Sequence, residues 1–233
     1  KGQTWQSYQE PIILDEEGEH SVSYHSIDRA GNSEEIKIYN LKIDQTAPQI
    51  EILIPQENQE FLHSEVLDFS YQITDNYSGV ASSTIALFLD NQFISANPID
   101  LFNYHLGEHN FKITVQDQAG NSSQAQTNFI ISANLDSAIS DIERSYTKGL
   151  ISKKFVKDWL IQSLERIKKQ LDWLKEKQDR GAKEWFLKIH KAIILKQYQL
   201  ILKQLNYYYQ KGWVDSNGYN IIKEDIEWLI KNL

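Results

Sequence analysis

Along the first 133 residues apolar side chains alternate with polar ones over short runs. After Ile131 the apolar spacing changes to three and four. The alternation is clearest where Val22, Tyr24 and Ser26, and again Phe111, Ile113 and Val115, point one way with polar residues such as Ser23 and Lys112 between them. Period two over such a run predicts a strand with one buried face. Strands are predicted at Gln49–Ile54, Val66–Ile73, Thr84–Leu89, Phe93–Ile94, Asn110–Gln116 and Gln124–Ile131. Asp75-Asn76-Tyr77-Ser78-Gly79, Asp90-Asn91 and Asn97-Pro98 separate them with turn chemistry. Short strands at this density are expected of an Ig-like sandwich.

In the second pattern, Asp136 or Ser137 is placed to cap a first helix that carries Ile139, Ile142 and Tyr146 and ends near Gly149. A second helix, Ser152 to about Arg180, presents Phe155, Val156, Trp159, Leu160, Leu164, Ile167, Leu171 and Leu174. A third, about Ala182 to Gln210, presents Trp185, Phe186, Ile189, Ile193, Leu200, Ile201, Leu205 and Tyr208. Gly212 and then Ser216-Asn217-Gly218 are expected to break the chain before a last helix with Ile222, Ile226, Leu229 and Ile230. Together they predict an antiparallel helical bundle. The fold class expected is all-β plus all-α.

An internal repeat sharpens the β half. Gly18-Glu19-His20, seven residues, then Asp28-Arg29-Ala30-Gly31-Asn32-Ser33 returns as Gly107-Glu108-His109, seven residues, then Asp117-Gln118-Ala119-Gly120-Asn121-Ser122, every matched residue shifted by 89. Ala-Gly-Asn after a strand is hairpin chemistry, because Gly and Asn tolerate positive φ. Pro48 holds the residue before it extended, as between two modules. The expected division is a truncated C-terminal half of an Ig-like module over 1–46, a complete sandwich over 47–134, and a bundle of three to four helices over 135–233. With 69 residues separating Pro48 from Asp117, the first module is expected to open about 41 residues before Lys1. Its missing strands would then lie upstream, and the chain is expected to be a fragment.

Charge follows the same division. Residues 1–136 hold 5 basic and 20 acidic residues, a balance of −15, whereas 137–233 hold 19 and 12, a balance of +7. Cysteine is absent, which excludes disulfides, thiol nucleophiles and thiolate metal sites. The longest apolar stretch, Ala192 to Leu202, is broken by Lys196 and Gln197, so no membrane span is expected. The basic residues of the helical half alternate with acids (Glu165-Arg166, Lys175-Glu176-Lys177, Asp179-Arg180), a solvated helix face rather than a nucleic-acid surface. No nucleic-acid partner is expected.

The first copy, from Trp5 and Tyr8-Gln9-Glu10-Pro11-Ile12 through Asp28-Arg29-Ala30-Gly31-Asn32-Ser33-Glu34 to Ile43-Asp44-Gln45-Thr46-Ala47-Pro48, resembles the Ig-like repeats of bacterial surface proteins and secreted hydrolases. The second copy is similar to the same group through Asp75, Ser78-Gly79-Val80, Leu89-Asp90 and Asp117-Gln118-Ala119-Gly120-Asn121. The resemblance implies spacing, display or adhesion outside the cell, without catalysis. Tyr146-Thr147-Lys148-Gly149-Leu150-Ile151 and the Gly-containing turn before the last helix resemble the FIMAH-type helical domain that follows such β-modules.

Candidate chemistry is sparse. There is no His-Glu-x-x-His, no Gly-x-Ser-x-Gly and no phosphate-binding glycine loop. No catalytic, cofactor-binding or metal residue is assigned and no enzyme is expected. His20 and His109 hold the same repeat position, which favours a fold role, and His190 is read as a helix-flank residue. Asp28 and Asp117, each with an Asn four residues on, together with Asp44 and Asp75-Asn76, offer hard oxygens suited to Ca²⁺. The same residues are the ordinary caps of β-turns, which is the preferred reading. Most of Trp159, Trp173, Trp185, Trp213 and Trp228 is expected in the core, with Trp173 and Trp213 exposed and able to stack on sugar rings. A protein, glycan or cell-wall partner is therefore open.

Overall fold

The computed structural model describes residues 5–233. Strands β1 Gly18–Tyr24, β2 Lys37–Ile43, β3 Gln49–Ile54, β4 Gln59–Leu62, β5 Val66–Leu67, β6 Ser70–Thr74, β7 Ala86–Leu89, β8 Gln92–Ile94, β9 Ile99–Asp100, β10 Gly107–Gln116 and β11 Ser122–Ser132 precede helices α1 Leu135–Thr147, α2 Lys154–Asp179, α3 Glu184–Gln210 and α4 Ser216–Lys231. A β-sandwich-like region is thus followed by four helices. The largest sheet runs β4-β11-β10-β7-β8, and β1-β2, β3-β6 and β5-β9 form two-stranded sheets.

The chain folds as two compact units. One comprises residues up to Glu51, Tyr71–Leu87 and Lys112–Ala125; the other comprises Ile52–Ser70, Phe88–Phe111 and Gln126–Leu233. In the first, β1 pairs antiparallel with β2 from Gly18↔Ile43 to Tyr24↔Lys37. The 89-residue repeat is carried into hydrogen bonds. Asp28 donates its N–H to the Asn32 carbonyl at 2.9 Å, as Asp117 does to Asn121 at 3.0 Å. Asn32 and Asn121 each donate a side-chain N–H to the Asp Oδ2 at 2.8 Å. Gly31 and Gly120 sit at φ +87° and +96°, where a Cβ is strained, so the turn requires glycine in both copies. The copies differ in cover. Ile113 and Val115 are buried, whereas Tyr24 and Ser26 are exposed, as are Ile38 and Tyr39 on β2.

In the second unit Leu67, Phe69, Leu89, Ile99, Leu101, Phe102, Phe111, Phe129 and Ile131 are buried. Each such side chain contributes roughly 1.5–3 kcal/mol of transfer free energy. Two strands escaped the periodicity, β4 and β9, and the run predicted at 66–73 is broken at Asp68-Phe69. β4 exists because it pairs parallel with β11, from Gln59↔Phe129 to Leu62↔Ser132.

Helix α1 starts one or two residues before the expected cap. Asn134 accepts from the Ser137 N–H while Ser137 Oγ accepts from the Asn134 N–H, a reciprocal cap that closes two open donors. Helix α2 buries Val156, Leu160, Leu164, Ile167 and Leu174, and α3 buries Ile194, Tyr198, Ile201, Leu205 and Tyr208. The alternating spacings of three and four on α3 are those of a coiled-coil seam. A short connection folds α3 back along α2, and Gln197 donates to Gln170 at 3.0 Å midway along the pair. Ser216-Asn217-Gly218 is not a break before α4 but its first turn: Asp215 caps it, accepting from the Gly218 N–H at 2.8 Å. Among the described residues no helix is long and apolar enough to cross a membrane.

Candidate functional site

The chemistry of the second unit concentrates at one point. The parallel pairing of β4 with β11 continues one residue further, the His63 N–H donating to the Ser132 carbonyl at 2.8 Å. This fixes the imidazole at the base of α1. On α1 the inward face carries Ser137, Ala138, Asp141, Ile142 and Ser145. On α4 it carries Ile222, Asp225 and Ile226. The tertiary fold therefore turns two aspartates toward one histidine. His63 Nδ1 lies 3.1 Å from Asp225 Oδ1 and 3.2 Å from Asp141 Oδ2, and all three side chains are 0% exposed. The His63 ring stacks on Phe102, with centroids 6.0 Å apart. Phe102 in turn receives the Arg144 guanidinium at 4.5 Å.

The group is not saturated. His63 Nε2, both oxygens of Asp141 and Oδ2 of Asp225 are buried without a hydrogen-bond partner. Burial alone would discharge His63, but the two carboxylates facing its Nδ1, Asp141 and Asp225, outweigh it and hold the imidazole up at about 10. Burial pushes the Asp225 carboxyl up to about 7, against the opposing hydrogen bond from His63. An imidazole nitrogen and two carboxylate oxygens, all within 4.8 Å of one another, are also a donor set able to hold a metal ion.

A second cluster lies in the first unit. It gathers three of the four aspartates singled out from the sequence, Asp44, Asp75 and Asp117, again within 4.8 Å. Here the oxygens are committed to turns. Asp44 accepts from the Thr46 and Ser78 N–H groups, Asp75 Oδ1 from Tyr77 and Gly79, and Asp117 from the backbone and side chain of Asn121. Asp75 Oδ2 is buried without a partner. The bond from Ser78 holds the Asp44 carboxyl below the usual carboxylate range. Asp28 stays outside this cluster and caps its own turn, the bonds from Asn32 lowering its carboxyl likewise.

The histidines considered from sequence have separate places. His20 and His109 repeat one bond, each Nε2–H donating to a carbonyl four residues back, Glu16 at 2.6 Å and His105 at 2.7 Å. His109 adds a contact of 2.7 Å to Asp90. His190 Nδ1 bonds the Phe186 carbonyl at 2.8 Å and its ring packs on Phe186 and Trp173. The tryptophans redistribute. Trp173 is 40% exposed, Trp185 is the most open in the helical part at 61%, and Trp213 is drawn in against Phe155 and Tyr208 at 5.2 and 5.9 Å. With Ile189, Ile193, Leu200 and Tyr207, Trp185 forms an exposed stripe along α3.

His63 was missed because no motif surrounds it and its partners lie 78 and 162 residues away. The signal available was an acid on each apolar stripe, Asp141 beside Ile142 and Asp225 beside Ile226.

No family model matches the chain, and no curated protein matches it. A solved structure of fibronectin(III)-like modules of Clostridium thermocellum CbhA is similar at 12% identity with a TM-score of 0.32, over 49% of this chain. The chain spans 62% of that neighbour's length.

Proposed function

We propose that the chain is a non-catalytic accessory region of a secreted or surface-exposed bacterial protein, serving spacing, display or adhesion. In this reading residues 1–46 are the closing half of one Ig-like module, 47–134 a complete one, and 135–233 a helical bundle. The observation that carries it is the repeated Asp-x-Ala-Gly-Asn turn, with the same bonds and the same positive-φ glycine at both sites. A polar constellation duplicated in each copy is spent on holding strands together, and arrays of such units act as spacers. The exposed Ile38 and Tyr39 of β2 fit a hairpin whose covering strands belong to a preceding copy. Antibodies against the chain are expected to label intact cells of the source bacterium. Labelling only after lysis refutes the placement, and turnover of a peptide, ester or glycoside by the purified chain refutes the non-catalytic role.

The second reading, a tail of a secreted hydrolase whose helical part grips glycan, cell wall or protein, is favoured by the apolar stripe on α3. Retention on purified cell wall that Trp185→Ala abolishes supports it. No retention at moderate salt refutes it.

A further inference from the structure

We propose that His63, Asp141 and Asp225 form a binding site for one divalent first-row transition ion, which locks the β4 end to helices α1 and α4 within their unit. The carboxylate of Asp141 is fully buried and both its oxygens lack hydrogen-bond partners. A carboxylate so placed costs several kcal/mol of desolvation unless a cation answers it. His63 does not answer both aspartates, because a single Nδ1 proton faces oxygens at 3.1 and 3.2 Å on two different residues. An ion seated among the three groups faces the imidazole nitrogen and an oxygen of each carboxylate at once.

The spacing of the donors suits an ion. Ligands about 2.1 Å from an ion, at angles between tetrahedral and octahedral, lie about 3.0–3.4 Å apart. The two Nδ1–O separations fall inside that span. The imidazole nitrogen selects against Ca²⁺ and Mg²⁺, which take oxygen donors, and toward ions such as Zn²⁺ or Fe²⁺. Full burial makes the role structural, with loading during folding rather than exchange from the surface. The Asp44, Asp75 and Asp117 cluster differs in that turn N–H and amide donors occupy five of its six oxygens.

The test uses the full chain, unfolded in guanidinium with chelator and refolded with Zn²⁺, with Ca²⁺ or with chelator alone. One zinc per chain is expected to survive gel filtration. At free zinc 100 times its Kd the folded-to-unfolded ratio rises about 100-fold, a shift in Tm of about 5–10 °C for a chain of this size. Asp141→Asn separates the ion site from a metal-free triad. Without an ion, the substitution removes one of two repelling acids and keeps the His63–Asp225 pair, so the variant folds in chelator and no longer responds to zinc. His105→Ala, at an exposed histidine, is expected to leave the zinc response intact. No retained zinc and no shift in the wild type overturn the proposal, as does a zinc response that persists in Asp141→Asn. If that variant does not fold, retention and shift in the wild type with Zn²⁺ but not Ca²⁺ decide the matter.

Discussion

Replacing His63 by leucine removes the basic group that faces the two buried acids Asp141 and Asp225, and the outcome follows from the geometry. At an effective dielectric of about 20, unit charges near 3 Å attract by about 5 kcal/mol. Desolvation of the charges cancels much of that, and removing one partner of a buried ion pair costs about 3–5 kcal/mol because the other charge is left uncompensated. His63→Leu is therefore expected to lower stability by about 3–5 kcal/mol, a large share of the roughly 5–15 kcal/mol that holds a domain together. At roughly 2–4 °C per kcal/mol, Tm falls by about 6–20 °C. Urea unfolding followed by tryptophan fluorescence and far-ultraviolet dichroism measures both quantities. A triple change of His63, Asp141 and Asp225 to leucine is expected to recover most of the loss, since it removes the charges together with the need to pair them. A loss under about 1 kcal/mol for the single variant, or a triple variant worse than the single, refutes the reasoning.

Three further outcomes are expected. Gly120→Ala should cost about 1–2 kcal/mol through backbone strain alone, since φ is +96° and nothing lies within 4 Å of the added Cβ; a neutral thermal melt would refute it. Asn134→Ala should cost about 1 kcal/mol by opening the cap of α1, read as a lower urea midpoint at unchanged slope. The Asp28 carboxyl, lowered by its bonds from Asn32, should titrate below 3.8 by NMR and return toward that value in Asn32→Ala. Because its folded value is depressed, its contribution to stability is present above 3.8 and is lost as pH falls through the folded value.

Local pattern carried much of this fold. β3 occupies the predicted 49–54, and α2 and α3 fall within two residues of their expected bounds, because their apolar spacing is set by their own faces. β4 was invisible for the opposite reason: its four residues are a strand only through a parallel partner some 70 residues away. Trp213 was expected exposed from its loop, but the aromatic rings of Phe155, Tyr207 and Tyr208 gather around it. The aspartate cluster of the first unit was half legible, its members named as turn residues without their convergence. The buried triad was legible only as two acids out of place on apolar stripes.

The position of His63 also limits how this chain can be rearranged by recombination. Its imidazole is delivered by the parallel seam of β4 and β11. An additional 89-residue copy inserted before residue 47 leaves the triad whole. A crossover near residue 134 that hands the four helices to a foreign neighbour sends Asp141 and Asp225 away without their histidine. Strand β4, its partner β11 and the four helices are therefore inherited together.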